Sequence, residues 1–187
     1  MEETVLISET ERMLIRPLTL DDLPVLKSIL SDPEVMKYSV RGICDDAATR
    51  KFIEWCLACY TSHGVGPWAL VDKESSDLIG FCGVGPEVVG DAEEINLGYR
   101  LARQYWGTGL ASESARAVLT YAFSQKQFES VVVIIEPEHI ASMRVAEKAG
   151  FSNYQNVEFH GRPVRLYRLT HDQWNALHNQ ALQRTSR

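Results

Sequence analysis

The stretch from Ile95 to Phe123 constrains this chain more than any other. Ile95, Leu97, Tyr99 and Leu101 alternate with other residues over seven positions, which predicts a strand. The turn Gln104-Tyr105-Trp106-Gly107-Thr108-Gly109-Leu110-Ala111 follows. It opens a helical pattern reaching Phe123, with Ala111, Ala115, Val118, Leu119 and Ala122 on one face. A strand that feeds a glycine-rich turn at a helix start makes an anion site. The first helical N–H groups have no partner inside the helix, and the helix dipole favours negative charge there. Gly107 and Gly109 lack Cβ, so the backbone can approach a ligand closely and take positive φ. The competing reading is that these glycines only make a tight turn between strand and helix.

The remaining elements arrange themselves around that unit. Arg12 to Pro17 reads as a short first strand. Thr19 with Asp22 resembles a capping box for a helix carrying Leu23, Leu26 and Leu30, which Asp32-Pro33 ends. Asp45 and Asp46 suit the start of a second helix with Phe52, Trp55, Cys56, Cys59 and Tyr60 as its apolar positions. Trp68 to Asp72 and Leu78 to Val84 predict an antiparallel hairpin, and Gly90-Asp91-Ala92 a turn into the Ile95 strand. Val131 to Ile135 is an unbroken β-branched run, expected for a strand covered on both faces. A helix from Ile140 to Ala149 with Gly150 at its end follows. Phe151 to Phe159 and Val164 to Leu169 read as strands. Thr170 and Gln173 make a capping box for a last helix, with Trp174, Leu177 and Leu182 as its apolar residues. The order β-α-α-β-β-β-α-β-α-β-β-α implies a mixed sheet with helices on its faces.

The chain has 187 residues, a length suited to one domain, 1–187, with a C-terminal helix over 170–183. Its net charge of -6 argues against nucleic acid as a partner, since phosphate backbones bind basic faces. No apolar run approaches the roughly 18 residues of a membrane helix. Met1-Glu2-Glu3-Thr4-Val5 lacks the basic and apolar regions of a signal peptide, so the expected location is cytoplasmic. Cys56-x-x-Cys59 has no second pair to complete a zinc site, and the four cysteines are expected to be reduced, buried and structural. His160 and His171 have no ligand-spaced partners, so no metal is expected.

Four segments in order carry a family resemblance: Glu11 to Leu18, Ser31 to Met36, Leu97 to Leu101 with Tyr105 to Ala111, and Ala141 to Phe151. With these in place the chain resembles the GNAT superfamily of acyl-CoA-dependent N-acetyltransferases, and within it the RimJ/RimL-like branch that includes acetyltransferases of ribosomal-protein N-termini. The resemblance implies an α/β (α+β) fold. Its central sheet is mixed, mostly antiparallel and of about seven strands, with helices on both faces and acyl-CoA bound between two splayed strands. It implies acetyl-CoA as co-substrate, a primary amine as acceptor and a monomer or homodimer. The family often has Asn three residues before the motif serine, and here that position is His139.

Site residues follow from the same resemblance. The turn amides from Trp106 through Gly107, Thr108, Gly109, Leu110 and Ala111, with Gln104, are placed at the pyrophosphate. Leu97, Tyr99 and Leu101 are placed along the pantetheine arm as an added strand, and His139 and Ser142 beside it. Arg100, Arg103, Arg144 and Lys148 supply positive charge to these segments. The chemistry needs a neutral amine, a stabilised oxyanion and a protonated leaving thiolate. Ser142 is the expected acid, with Tyr154 as its rival. Glu158 is the expected base, with Glu136 as its rival and a base-free water chain as a third route. Met36 to Ile43 and His63 to Trp68 are expected to shape the acceptor pocket, and Asp91, Glu93, Glu94 and Glu138 to attract a cationic amine. The leading expectation is acetyl transfer to a protein N-terminus or small amine by direct attack in a ternary complex. The alternatives are transfer of a longer acyl group, and a module that keeps the fold without turnover.

Overall fold

The computed structural model describes residues 5–186. Met1 to Thr4, weighed above as a possible leader, lie outside the described residues. Eight strands form one sheet in the order β1-β2-β3-β4-β5-β6-β8-β7. They are β1 (Ser8–Glu9), β2 (Met13–Pro17), β3 (Pro67–Asp72), β4 (Leu78–Val89), β5 (Ala92–Leu101), β6 (Ser130–Ile135), β7 (Tyr154–Phe159) and β8 (Arg162–Thr170). All neighbours run antiparallel except β5 and β6. The expected seven strands become eight because Ser8–Glu9 pairs with β2, too short a segment to show a period.

Helices α1 (Leu23–Leu30) and α2 (Asp46–His63) cover one face of the sheet. Leu26, Ile29, Phe52, Ile53 and Cys56 pack there against Ala69 and Phe81. Helices α3 (Leu110–Thr120) and α4 (Ile140–Ala149) cover the other face. Val118, Leu119, Met143 and Ala146 pack there with Leu97, Val131 and Val133. The β-branched run of β6 is buried almost throughout, as its composition implies. The four cysteines are buried free thiols.

Several boundaries moved, each for a local reason. Helix α3 keeps α geometry only to Thr120, and Tyr121–Gln125 forms a wider π turn that seats Tyr121 edge-on against Trp68. The strand expected from Phe151 begins at Tyr154, because Phe151 is buried in the core behind the left-handed Gly150. The capping box at Thr170 and Gln173 starts α5 (His171–Thr185). That helix buries no residue: Trp174 packs on Phe123 at 5.5 Å, while Leu177 and Leu182 are exposed.

The link from β2 to α1 depends on charge rather than on capping alone. Asp22 accepts both Arg16 guanidinium arms, at 2.8 and 2.9 Å, and the Thr19 N–H at 2.9 Å. Burial pushes the Asp22 carboxyl upward, and the Arg16 and Thr19 bonds outweigh it and hold the pKa below its ordinary value. Removing one partner of a buried pair leaves the other uncompensated. Asp22→Ala should therefore lower stability by about 3 kcal/mol, read from the urea midpoint at neutral pH.

Candidate active site

Strands β5 and β6 meet at one register position, Asn96 opposite Val132, and pair nowhere else. Beyond it β5 continues to Leu101 bonded only to β4, and β6 ends at Ile135 bonded to β8. One edge of Leu97 to Leu101 is thereby left without a strand. Two cavities open at this parting, one of about 590 Å³ and one of about 240 Å³. Tyr38, Tyr99, Arg100 and His139 line both and mark where they join.

The larger cavity runs from Leu101 over the glycine turn to α4. Gly107 and Gly109 both take left-handed φ, +72° and +83°. The first α3 amide to find a helical partner is that of Glu113, which donates to the Gly109 carbonyl at 3.0 Å, so the amides of Leu110 to Ser112 remain free at the helix start. Lys37, Arg144 and Lys148 line this cavity and make no ion pair among the described residues. Trp106, Gly107, Gly109, Leu110 and Ala111 line it as well. Gln104 and Thr108 do not. Gln104 is exposed, and the Thr108 hydroxyl donates back to the Tyr105 carbonyl at 2.7 Å, closing the turn. Arg103 is held by Asp32 at 2.8 Å, which makes it a link between loops.

At the junction three side chains form a chain. The Tyr99 and Ser142 hydroxyls lie 2.9 Å apart, and Ser142 Oγ lies 3.1 Å from His139 Nε2. Tyr38 stacks on the His139 ring at 4.2 Å. Burial raises the Tyr99 phenol, with the Ser142 bond opposing, so Tyr99 stays protonated at neutral pH. Burial lowers the imidazolium of His139 to about 4, helped by the charge of Arg100 and of Lys37 and opposed by Glu136. His139 is therefore neutral over the physiological range and serves as a hydrogen-bond partner rather than as a proton store.

The smaller cavity lies on the α1–α2 side. Gly83, Gly85, Asn96, Gly98 and Arg100 line it from β4 and β5, and Phe52, Trp55 and Phe81 from that side. Glycines at Gly83, Gly85 and Gly98 keep side chains off this part of the sheet. A Cβ on Gly98 would meet no atom within 4 Å, so the space above it is open. Leu97 borders this cavity rather than the larger one. Asn96 Oδ1 is buried without a partner among the described residues.

The sequence-expected acid and base fare differently. Ser142 is buried at the junction. Glu158 is exposed on β7 and lines neither cavity, because strand alternation gives the inward position to Phe159. Tyr154 is exposed beneath Arg165, with the guanidinium 4.4 Å from its ring centre, and also lines neither. Glu136 lines the smaller cavity and accepts from Arg162 at 2.7 Å. Of the acidic loop residues, Glu94 is paired with Arg168 and Glu93 with His63, Asp91 is exposed, and Glu138 lines only the larger cavity. Tyr38, Arg41, Glu87 and Asn96 escaped notice as individual residues, since none sits in a recognisable motif. Tyr38 and Arg41 belong to the Met36–Ile43 loop expected to shape the pocket, while of His63 to Trp68 only Pro67 lines it.

A family model described as an acetyltransferase (GNAT) domain matches residues 12–152. YkkB of Bacillus subtilis (strain 168) is 34% identical over 159 residues, covering 84% of this chain and 92% of its own. The N-acetyltransferase p20 of Bacillus licheniformis is 30% identical over 167 residues, covering 84% and 91%. The solved structure of RimL, a ribosomal L7/L12 alpha-N-protein acetyltransferase in complex with coenzyme A, superposes with a TM-score of 0.72 at 16% identity. It covers 89% of this chain and 98% of that one, a likeness of fold.

The lowered His139 pKa makes a stability prediction. The unfolded imidazole takes up a proton near its ordinary 6.5, whereas the folded one resists until about 4. In that window the unfolded state binds more protons, so stability rises with pH and falls on acidification. His139→Asn keeps a polar side chain next to Ser142 without the titration. Thermal melts from pH 7 to 4 should show the wild type losing stability relative to this variant. Parallel curves would mean that the imidazole titrates freely.

Proposed function

The chain belongs to the acetyltransferase (GNAT) family and is an acyltransferase, and from that premise we propose that it moves the acetyl group of acetyl-CoA directly to a primary amine in a ternary complex. The observation that carries this reading is the pair of cavities joined at Tyr38, Tyr99, Arg100 and His139. Two substrates entering from opposite sides of the sheet meet there. We also read residues 1–187 as one acetyltransferase domain.

Acetyl-CoA supplies an activated acyl group as a thioester. The residues of the larger cavity fit its other parts. Free amides at Leu110 to Ser112 and the αL turn at Gly107 and Gly109 suit a pyrophosphate. Lys37, Arg144 and Lys148 add charge for phosphate. The unpaired edge of Leu97 to Leu101 suits the amides of the pantetheine arm. Thr108 holds the turn rather than the ligand in this scheme, and Gln104 lines neither cavity.

Positioning of the amine at the junction supplies the main part of the rate. Tyr99 holds its proton at neutral pH and gives it to the departing sulfur. Ser142 orients Tyr99 and relays to it the second proton that the attacking nitrogen loses as the tetrahedral intermediate collapses, and the neutral His139 ring fixes Ser142. Glu136 lines the acceptor cavity, acts electrostatically on His139 and receives the ammonium proton in place of Glu158.

Coenzyme A thiol release with acetyl-CoA and an amine panel tests the reading, and no release with any acceptor would overturn it. Tyr99→Phe should lower kcat by about 10²-fold, the typical share of general acid help, with the KM for acetyl-CoA little changed. Glu158→Gln should match the wild type, whereas Glu136→Gln should lose rate most at low pH, where the ammonium predominates. Gly98→Val should fold normally and raise the acceptor KM at least about tenfold, since it adds three carbons to the pocket and even one methylene changes discrimination on that scale.

A further inference from the structure

The acceptor cavity contains three arginines, Arg41, Arg100 and Arg162, and two glutamates, Glu87 and Glu136. Arg162 is neutralised by Glu136. Arg41 and Arg100 form no ion pair among the described residues. The Arg41 guanidinium lies over Phe52 and Trp55, 5.3 and 5.8 Å from the ring centres. Arg100 is partly buried, and its one hydrogen bond runs from Nη1 to the Tyr99 carbonyl at 2.8 Å. The rest of its donor fork is free. Burial draws the Arg100 pKa down, Tyr99 opposes it, and the charge of Arg41 acts in the same direction as burial. Two unpaired guanidiniums lining one cavity, one of them partly buried, favour an anion there. A guanidinium fork matches a carboxylate best.

We propose that the acceptor is a free α-amino acid with an apolar or aromatic side chain, its carboxylate held by Arg41 and Arg100. The inference rests on the acetyl-transfer reading and names the acceptor for that same site. Arg100 lines both cavities, so a carboxylate bound to it sits next to the junction where the amine must react. Phe52, Trp55 and Phe81 offer an apolar wall for the side chain. The volume of about 240 Å³ lies below the range of roughly 300–1,000 Å³ usual for drug-sized ligands, which suits a small acceptor. A polyamine would bring more positive charge to a site that already holds an excess of it.

The test measures thiol release with three matched acceptors: phenylalanine, phenylalaninamide and 2-phenylethylamine, repeated with the leucine and methionine series. The amide also stands for a protein N-terminus, whose first carboxyl is tied up in a peptide bond. The acid should exceed its amide and its amine by at least tenfold in kcat/KM. Arg41→Gln should bring the acid-to-amide ratio toward one, and Arg41→Lys, which keeps the charge without the fork, should leave an intermediate ratio. Amide or amine turnover equal to that of the acid, or a ratio unmoved by Arg41→Gln, would overturn the amino-acid acceptor and leave acetyl transfer standing. Absence of thiol release with every acceptor would overturn acetyl transfer itself, and this inference with it.

Discussion

The separation of β5 from β6 is the constraint on which the rest of the site depends. Parallel strands need paired backbone groups along their length, and here pairing ends after a single register position. The two strands still belong to one sheet, because β4 holds β5 along ten residue pairs and β8 holds β6 along six. Each strand is thus fixed from its outer side while the inner edges diverge. Unpaired backbone groups at such an edge need partners. An amide-bearing ligand would provide them without disturbing either outer ladder.

The same divergence explains the depth of the junction. Tyr99 stands on the β5 face covered by α3 and α4, and Arg100 on the face covered by α1 and α2. Adjacent residues of one strand therefore approach the junction from opposite faces, and both line both cavities. Ser142 reaches Tyr99 from the first turn of α4, and His139 reaches Ser142 from the position preceding that helix. Helix α4 follows β6, so the chain of hydroxyl and imidazole groups spans the gap between the two diverging elements. A strand without alternation, or a helix starting one residue later, would take these groups apart.

Much of this was legible in the sequence where a motif has a local cause. The αL glycines, the β-branched strand and α4 with its terminal Gly150 declare themselves through sterics and periodicity. The residues that escaped are those brought in by packing at long range. Tyr38 meets His139 from a distant part of the chain, and no local pattern announces it. Glu158 looked suitable because it precedes a turn, but strand alternation places Phe159 rather than Glu158 toward the cavity. Tyr99 was legible as a strand residue and not as a hydroxyl donor, since its partner lies 43 residues away. Charge misled in a similar way. The acidic loop residues were visible, but Glu94 already has Arg168 as a partner and Glu93 lies beside His63, and the unpaired charge lining the smaller cavity includes Arg41 and Arg100.

That positive charge bears on how an amine loses its proton. The chain carries a net -6, and the junction is nonetheless a place where cations are disfavoured. At His139, burial, Arg100 and Lys37 act against the protonated form, and Glu136 opposes them in part. An ammonium brought to the same point meets the same desolvation and the same neighbouring charges, so its proton is also held less tightly there than in water. The carboxylate of an amino acid neutralises part of that field, but it does so at the guanidiniums, leaving the loss of solvent unrelieved at the nitrogen. A strong dedicated base then becomes less necessary, and a carboxylate such as Glu136, already occupied by Arg162, is sufficient to receive the proton. In the proposed reaction, the positive charge and the burial of the junction would serve both requirements, holding the acceptor and releasing its lone pair for attack.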